Sequence, residues 1–369
     1  MFQRNKPERK TSGGDLNGDL TFPDEKIVEN DAVIRCLSPM LTCMKLFGAY
    51  FQRGGIDNTM GRKAQRFYSM AVLTLLWLNG LRFLFVYTQN DSLDSKLLLK
   101  IALSALQILC AILHTSYFFA SESGRLDNIL KEVQMSPECL PIIRKLTICC
   151  ILSSFVNILI FSIFFAYLLF FTGGSFDFLL TPFVTHIQID VNIRYVLKAG
   201  YFICYFYMVP CWFLLQGMNH VLAALLYRQF SLLNRRFEHA VGPQGQFNGD
   251  MTIYRRRHQN LSLSVKMADS FFMLGNVANF VCHGAILIII LFTVVFCKVW
   301  DTVIYVGYWL LGSCNAICLL WTIVDGIMVN HAKALDSKTM FQQEIPEIFI
   351  EFMVNHEVNM LILQATTMQ

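Results

Sequence analysis

Six windows of mostly apolar residues recur along the chain, at 68–88, 97–120, 147–172, 198–219, 277–297 and 304–330, separated by more polar connections. About 20 apolar residues in a helix cover the hydrocarbon of a bilayer, so each window predicts a membrane-crossing helix. The expected architecture is therefore all-α, a polytopic transmembrane bundle of six spans. Two connections, 121–146 and 220–276, are long enough to hold helices of their own.

The pattern also divides the chain. Residues 1–30 are charged and glycine-bearing with no apolar h-region, which predicts a disordered tail and no cleaved signal. Residues 31–67 read as an amphipathic interfacial segment, 68–330 as the six-span domain and 331–369 as a C-terminal helix. After span four, Leu222, Leu225, Leu226, Phe230, Leu233 and Phe237 recur at helical spacing beside Arg228, Arg235 and Arg236. Span four is expected to continue there as a helix, and a second helix from about Met251 to run through Arg255, Arg256 and Arg257 into span five. Together, 220–276 form a helical anchor segment whose basic runs face either lipid headgroups or a partner. Pro346 suits the first turn of the last helix, and Pro210 inside span four predicts a kink.

Composition supports the membrane reading: 55% of residues are hydrophobic and 15% charged, with mean hydropathy +0.47, whereas soluble domains carry about 25% charged residues. Net charge is only +4, but its placement is informative. Eleven Lys and Arg precede the first span, 4 lie between spans two and three, 7 between four and five, and 2 follow span six; the alternate connections hold Lys96, Arg194 and Lys298. Basic residues are retained on the cytoplasmic side, which predicts cytoplasmic N- and C-termini. Most of the 12 cysteines sit in apolar runs, as small buried hydrophobes rather than a disulfide framework.

Catalytic signatures are missing: there is no phosphate loop, HExxH or GxSxG, which argues against an enzyme, a cofactor or a catalytic metal. Polar residues within the spans are Asn79, Gln107, His114, Asn157, Gln216, Asn276, Asn279, His283, Asn315 and Asp325. Each is expected to face the interior, where it clamps helices or lines a cavity. Asp325, His283 and Asn315 are the candidates for structural or gating roles, Asp325 because a carboxylate in a span must be paired or wet. The outward halves of spans three to six hold Phe164, Tyr167, Phe171, Tyr201, Tyr205, Thr293, Phe296, Tyr305, Tyr308 and Trp309. They form either a belt at the headgroups or, with Gln107, the wall of a pocket for a small organic ligand. On the pocket reading its residues are Gln107, Tyr167, Tyr201, Tyr205, Thr293, Tyr308 and Trp309.

Three stretches, LSPMLTCMKLFGAYF at 37–51, HVLAALLYRQFSLLNRRFEHAVGP at 220–243 and HEVNMLILQATTMQ at 356–369, stand in this order around a six-span plan. In them the chain resembles an arthropod gustatory receptor of the insect chemoreceptor superfamily. The resemblance implies a ligand-gated, non-selective cation channel, assembled as a homo- or heterotetramer in the plasma membrane of a sensory neuron. It further implies a tastant pocket among the outer halves of spans two to six, contact with membrane lipid and no nucleic-acid partner. Members carry a seventh, pore-lining helix. The sequence ends at Gln369, about where that helix is expected to begin, which implies either a sequence truncated before it or a variant subunit that does not conduct unaided. The competing classes are a G-protein-coupled receptor, which the charge pattern opposes, and a six-span transporter or scaffold.

Overall fold

A computed structural model describes residues 30–51, 59–82, 95–132, 138–172, 177–180, 190–241, 250–296 and 302–342. Its helices are α1 (Asn30–Leu46), α2 (Thr59–Arg82), α3 (Ser95–Ser123), α4 (Arg125–Glu132), α5 (Leu140–Phe170), α6 (Val191–Ala240), α7 (Met251–Phe296) and α8 (Thr302–Gln342), with a 3-10 turn at Asp177–Leu180. Among the described residues, five stretches are long and apolar enough to cross a membrane: Lys96–Ser123, Leu140–Phe170, Val191–Ala240, Met273–Phe296 and Thr302–Met328. The chain is a multi-pass helical membrane protein. The first expected window falls on α2, whose described part carries Arg62, Lys63, Arg66 and Arg82 and does not reach the same apolar length. The window's last residues, 83–88, lie outside the described ones, as do the N-terminal tail and the helix expected from Pro346.

Helix boundaries follow local chemistry. The Asp190 carboxylate caps α6 by accepting from the Asn192 amide, relieving one of the unpaired donors of the first turn. Pro141 occupies the first turn of α5, where a missing amide hydrogen costs nothing. The turn after α1 requires Gly48, which adopts φ 72° and whose added Cβ would lie 3.0 Å from Val72 Cγ2.

The expected continuation of span four is present: α6 runs 50 residues without a break, through Pro210. In the same way α7 begins at Met251 and passes into the next apolar stretch as one helix. Where these two helices leave the apolar region they hold each other through Leu233, Phe237 and Tyr254, and the Tyr254 hydroxyl donates to the Arg236 carbonyl at 3.2 Å. α8 passes the expected end of span six near residue 330, and residues 331–342 continue it as one helix.

The core is organised around α6. Of its most apolar stretch 78% is buried, against 28% for α5 and for α7, so α6 is the central post and the other two face outward. On α5, Ile158, Phe161 and Phe165 turn inward while Leu152, Leu159 and Ile163 are exposed. A helix apolar on every side is what a lipid-facing position demands. α2 is tied to α3 by the Trp77 Nε1 hydrogen bond to Thr115 Oγ1 at 3.0 Å.

Candidate functional site

A cleft opens between α3, α5, α6 and α8, at the end of the bundle where α3, α6 and α8 begin and α5 stops. Its walls are Leu99 and Leu103 of α3, Phe161, Phe164, Phe165 and Leu168 of α5, Tyr205 of α6, and Val303, Ile304, Gly307 and Leu311 of α8, with Leu179 of the 3-10 turn above them. The empty space is about 430 Å³, part of it open to the outside, but only about 30 Å³ can hold the centre of a water-sized sphere. That is room for one or two waters. A ring-sized guest must therefore displace a wall.

Phe164 is half-buried, whereas the other rings of the wall are buried. Gly307 faces it, and a Cβ at position 307 would stand 3.2 Å from Phe164 Cζ. Behind it the packing is tighter: the Phe165 and Tyr205 rings stack with centroids 3.6 Å apart, and Phe165 also meets Tyr201 at 5.5 Å. One turn deeper on α3 than Leu103, Gln107 donates from Nε2 to the Tyr201 hydroxyl at 3.2 Å. The Gln107 Oε1 acceptor is buried and has no donor.

The 3-10 turn forms the roof, and its sequence explains why. Leu179 and Leu180 are fully buried under it, while Asp177 is anchored by Lys198 at 3.1 Å and Arg194 at 3.4 Å. Arg82 of α2 fastens the same turn, donating from Nη2 to the Leu179 carbonyl at 2.9 Å with its guanidinium 4.5 Å over the Tyr201 ring. Three cations thus converge on one carboxylate and one carbonyl.

The candidate residues separate cleanly. Gln107, Tyr201, Tyr205, Thr293 and Tyr308 are buried, and Tyr205 lines the cleft. The Thr293 hydroxyl bonds back to the Ile289 carbonyl at 2.7 Å, within its own helix. Tyr167 and Trp309 face outward, 47% and 57% exposed, with Phe171, Phe296 and Tyr305; these have the placement of the headgroup belt, and Tyr167 and Trp309 do not join the interior set. Asn276 is also exposed rather than interior. The cleft residues missed in the sequence are mostly plain Leu and Phe, together with Gly307. The apolar FDFLL at 176–180, inside a connection, was the available sign of the buried turn.

In the other half of the bundle, polar side chains of α6, α7 and α8 form a seam. Asn279 Nδ2 donates to Gln216 Oε1 at 2.7 Å, Gln216 Nε2 to Thr322 Oγ1 at 2.8 Å, and the Thr322 hydroxyl to the Cys318 carbonyl at 2.9 Å. One turn along α7 from Asn279, His283 Nδ1 meets Asn315 Oδ1 at 2.6 Å. Towards the far end, Asp325 Oδ1 lies 2.6 Å from His220 Nδ1, and the His220 ring stacks on Trp321 at 5.1 Å. The carboxylate is paired, by a histidine that sequence reasoning had placed in a connection. Near that end, the Tyr50 hydroxyl between α1 and α2 donates to Asp127 of α4 at 2.6 Å. Burial, then the Asp127 hydrogen bond and charge, push the Tyr50 hydroxyl well above the usual phenol range.

Neither the cleft nor the seam holds the parts of a catalytic constellation, and among the described residues no group of His, Cys, Asp and Glu is disposed to hold a metal ion. The cleft is apolar and takes a guest larger than water only if a wall moves; the seam ties three helices together.

No protein-family model matches the sequence, and no curated protein sequence matches it either. Solved structures do match in shape. The insect olfactory receptor OR5 from Machilis hrabei superposes with a TM-score of 0.66 at 12% identity, over 91% of this chain and 98% of that one. The same receptor in complex with eugenol superposes with a TM-score of 0.58 at 12% identity, over 81% and 79% respectively.

Proposed function

With the fold of an insect chemoreceptor as the premise, we propose that this chain is a chemosensory receptor subunit of a ligand-gated cation channel and not an enzyme. Its ligand is a small organic molecule of the size of a tastant, received in the cleft beneath the Asp177–Leu180 turn. The observation that carries this reading is an apolar cleft with ring walls at the end of the bundle, narrowed by Phe164 and roofed by Leu179. The neighbouring receptor has been solved in complex with eugenol, a small ring-bearing molecule, which supports a guest of that class for this chain. The count of Lys and Arg supports a cytoplasmic N-terminus, which sets the cleft in the outward half of a plasma-membrane protein where a stimulus arrives. A tetramer, of like or unlike subunits, provides the conducting path.

Ligand binding opens such a channel only in so far as it favours one arrangement over the other. Here the two arrangements differ in whether Phe164 and the 3-10 turn fill the cleft. α6 and α8, which wall the cleft and also carry the seam, transmit the change.

The test uses the full chain in lipid nanodiscs with eugenol as probe. Binding raises the melting temperature with ligand concentration, and Tyr205→Ala and Gly307→Phe remove the rise. A flat response to eugenol and to a panel of ring-bearing alcohols and sugars sinks the pocket. Binding without ligand-evoked cation current in cells that express the chain with a seventh, pore-lining helix appended keeps the pocket and sinks the channel. An epitope tag at Met1 that antibodies reach on intact cells overturns the orientation.

A further inference from the structure

The seam leaves two acceptors unanswered, and their placement identifies a second, smaller site. Asn315 Nδ2 donates to the Leu311 carbonyl at 2.7 Å, which fixes the orientation of the amide and turns its Oδ1 towards His283. His283 Nδ1 must then carry the proton, and Nε2 of the neutral ring is an acceptor. One turn away on the same helix, Asn279 uses Nδ2 as donor to Gln216, so its Oδ1 is an acceptor as well. Both side chains are fully buried, and neither His283 Nε2 nor Asn279 Oδ1 meets a donor from the protein.

Buried polar atoms without partners are costly, and in lipid no bulk solvent relieves them. The surrounding groups offer no remedy. Gln216 Nε2 is committed to Thr322 and to the Cys318 carbonyl, and the Thr322 hydroxyl is committed to Cys318. The neighbouring Trp212 ring stacks on His283 at 5.9 Å and 28°. In near-parallel rings the indole N–H points along its own plane rather than into the imidazole lone pair, and its nearest company is the Cys318 sulfur, a weak acceptor.

We propose that Asn279 Oδ1 and His283 Nε2 together bind one ordered water molecule at the junction of α6, α7 and α8. Residues four apart on a helix are neighbours on one face, so both acceptors lie on the same side of α7, and one molecule with two hydrogens serves the pair. The water donates one hydrogen to each acceptor and takes the Trp212 N–H, giving the three hydrogen bonds typical of an internal water. Nothing much larger fits, because α3 and α7 approach closely one turn away: a Cβ on Gly275 would lie 3.1 Å from Leu113 Cδ2. The site is distinct from the cleft and independent of what the cleft binds.

The experiment is water-edited solid-state NMR on the full chain in liposomes, with ring-labelled histidine and the His283 signal among the eight histidines assigned by loss in His283→Gln. The expected result is rapid transfer of magnetisation from water to His283 Nε2, with a nitrogen shift typical of an accepted hydrogen bond and the proton on Nδ1. Trp212→Phe, which keeps both acceptors, retains the transfer. Asn279→Val loses it while the ring stays neutral. Slow transfer in the folded wild type, at the rate of spin diffusion through dry protein, overturns the proposal. So does a proton found on Nε2, since that nitrogen is then a donor.

Discussion

The two halves of the bundle interior are built from different materials around the same central helix. At the Asp177 end, α6 contributes Tyr201 and Tyr205 to a wall of rings and aliphatic chains. Towards the other end it contributes Gln216 and His220 to directed hydrogen bonds with α7 and α8. Apolar contacts are short-ranged and undirected, so such a wall can distinguish a guest by size and shape alone. Hydrogen bonds in a membrane interior have fixed partners, so the seam sets the register of α6, α7 and α8. The lesson is that shape matching and fixity of register are assigned to separate levels of the same helices.

Trp212 is where the levels meet, since its ring packs on Phe161 of the cleft at 5.8 Å and on His283 of the seam. Trp212→Ala should have the largest effect, costing about 3–5 kcal/mol of stability as for other buried aromatic truncations and removing eugenol binding as well. Thermal unfolding followed by size-exclusion chromatography measures the first, and a ligand-dependent melting shift the second. A variant that loses only one of the two would show that the levels are uncoupled.

Gln216→Leu addresses the seam alone. It removes three interhelical hydrogen bonds, worth about 0.6 kcal/mol each on average in membrane proteins, and strands the donor of Asn279 at a further cost of about 1–3 kcal/mol. A net loss of about 3–5 kcal/mol with ligand affinity unchanged is expected; altered affinity at unchanged stability would reverse the assignment. Gly307→Ala is the converse. Its methyl presses on Phe164, so ligand affinity should fall about fivefold, about 1 kcal/mol, while the melting temperature barely moves.

The smallest effect lies outside both regions, at Tyr50. Its hydroxyl titrates higher in the folded chain than in the unfolded one, so the tie to Asp127 contributes fully below about pH 10, the unfolded phenol value. The contribution is lost as pH climbs from there towards the folded value. Comparing denaturation midpoints near pH 8 and pH 11 should show a drop in the wild type larger by about 1 kcal/mol than that of Tyr50→Phe.

Much of the fold could be read from the chain because membrane helices announce themselves by length. The continuation of α6 past Asn219 was also legible, in the spacing of Leu222, Leu226 and Phe230. Facing was harder. A spacing of four shows that Tyr201 and Tyr205 share a face, and that Tyr305 and Trp309 share another, but in an apolar solvent both faces can be aromatic. The first pair turned inward and the second outward. Long-range pairing left no local trace: His220 and Asp325 stand 105 positions apart, and only the packing of α6 on α8 joins them. Gly307 carried no signal of its own, since its role is the space it leaves for a ring on another helix.

The length of α6 has a mechanical meaning. Fifty residues of unbroken helix make a rod of about 75 Å, more than twice the hydrocarbon thickness of about 30 Å. Tilting such a rod by about 5° about its midpoint swings each tip roughly 3 Å in opposite directions. A guest that shoulders Tyr205 aside by a fraction of that distance thus works a lever, and the arginines near its far tip sweep the larger arc.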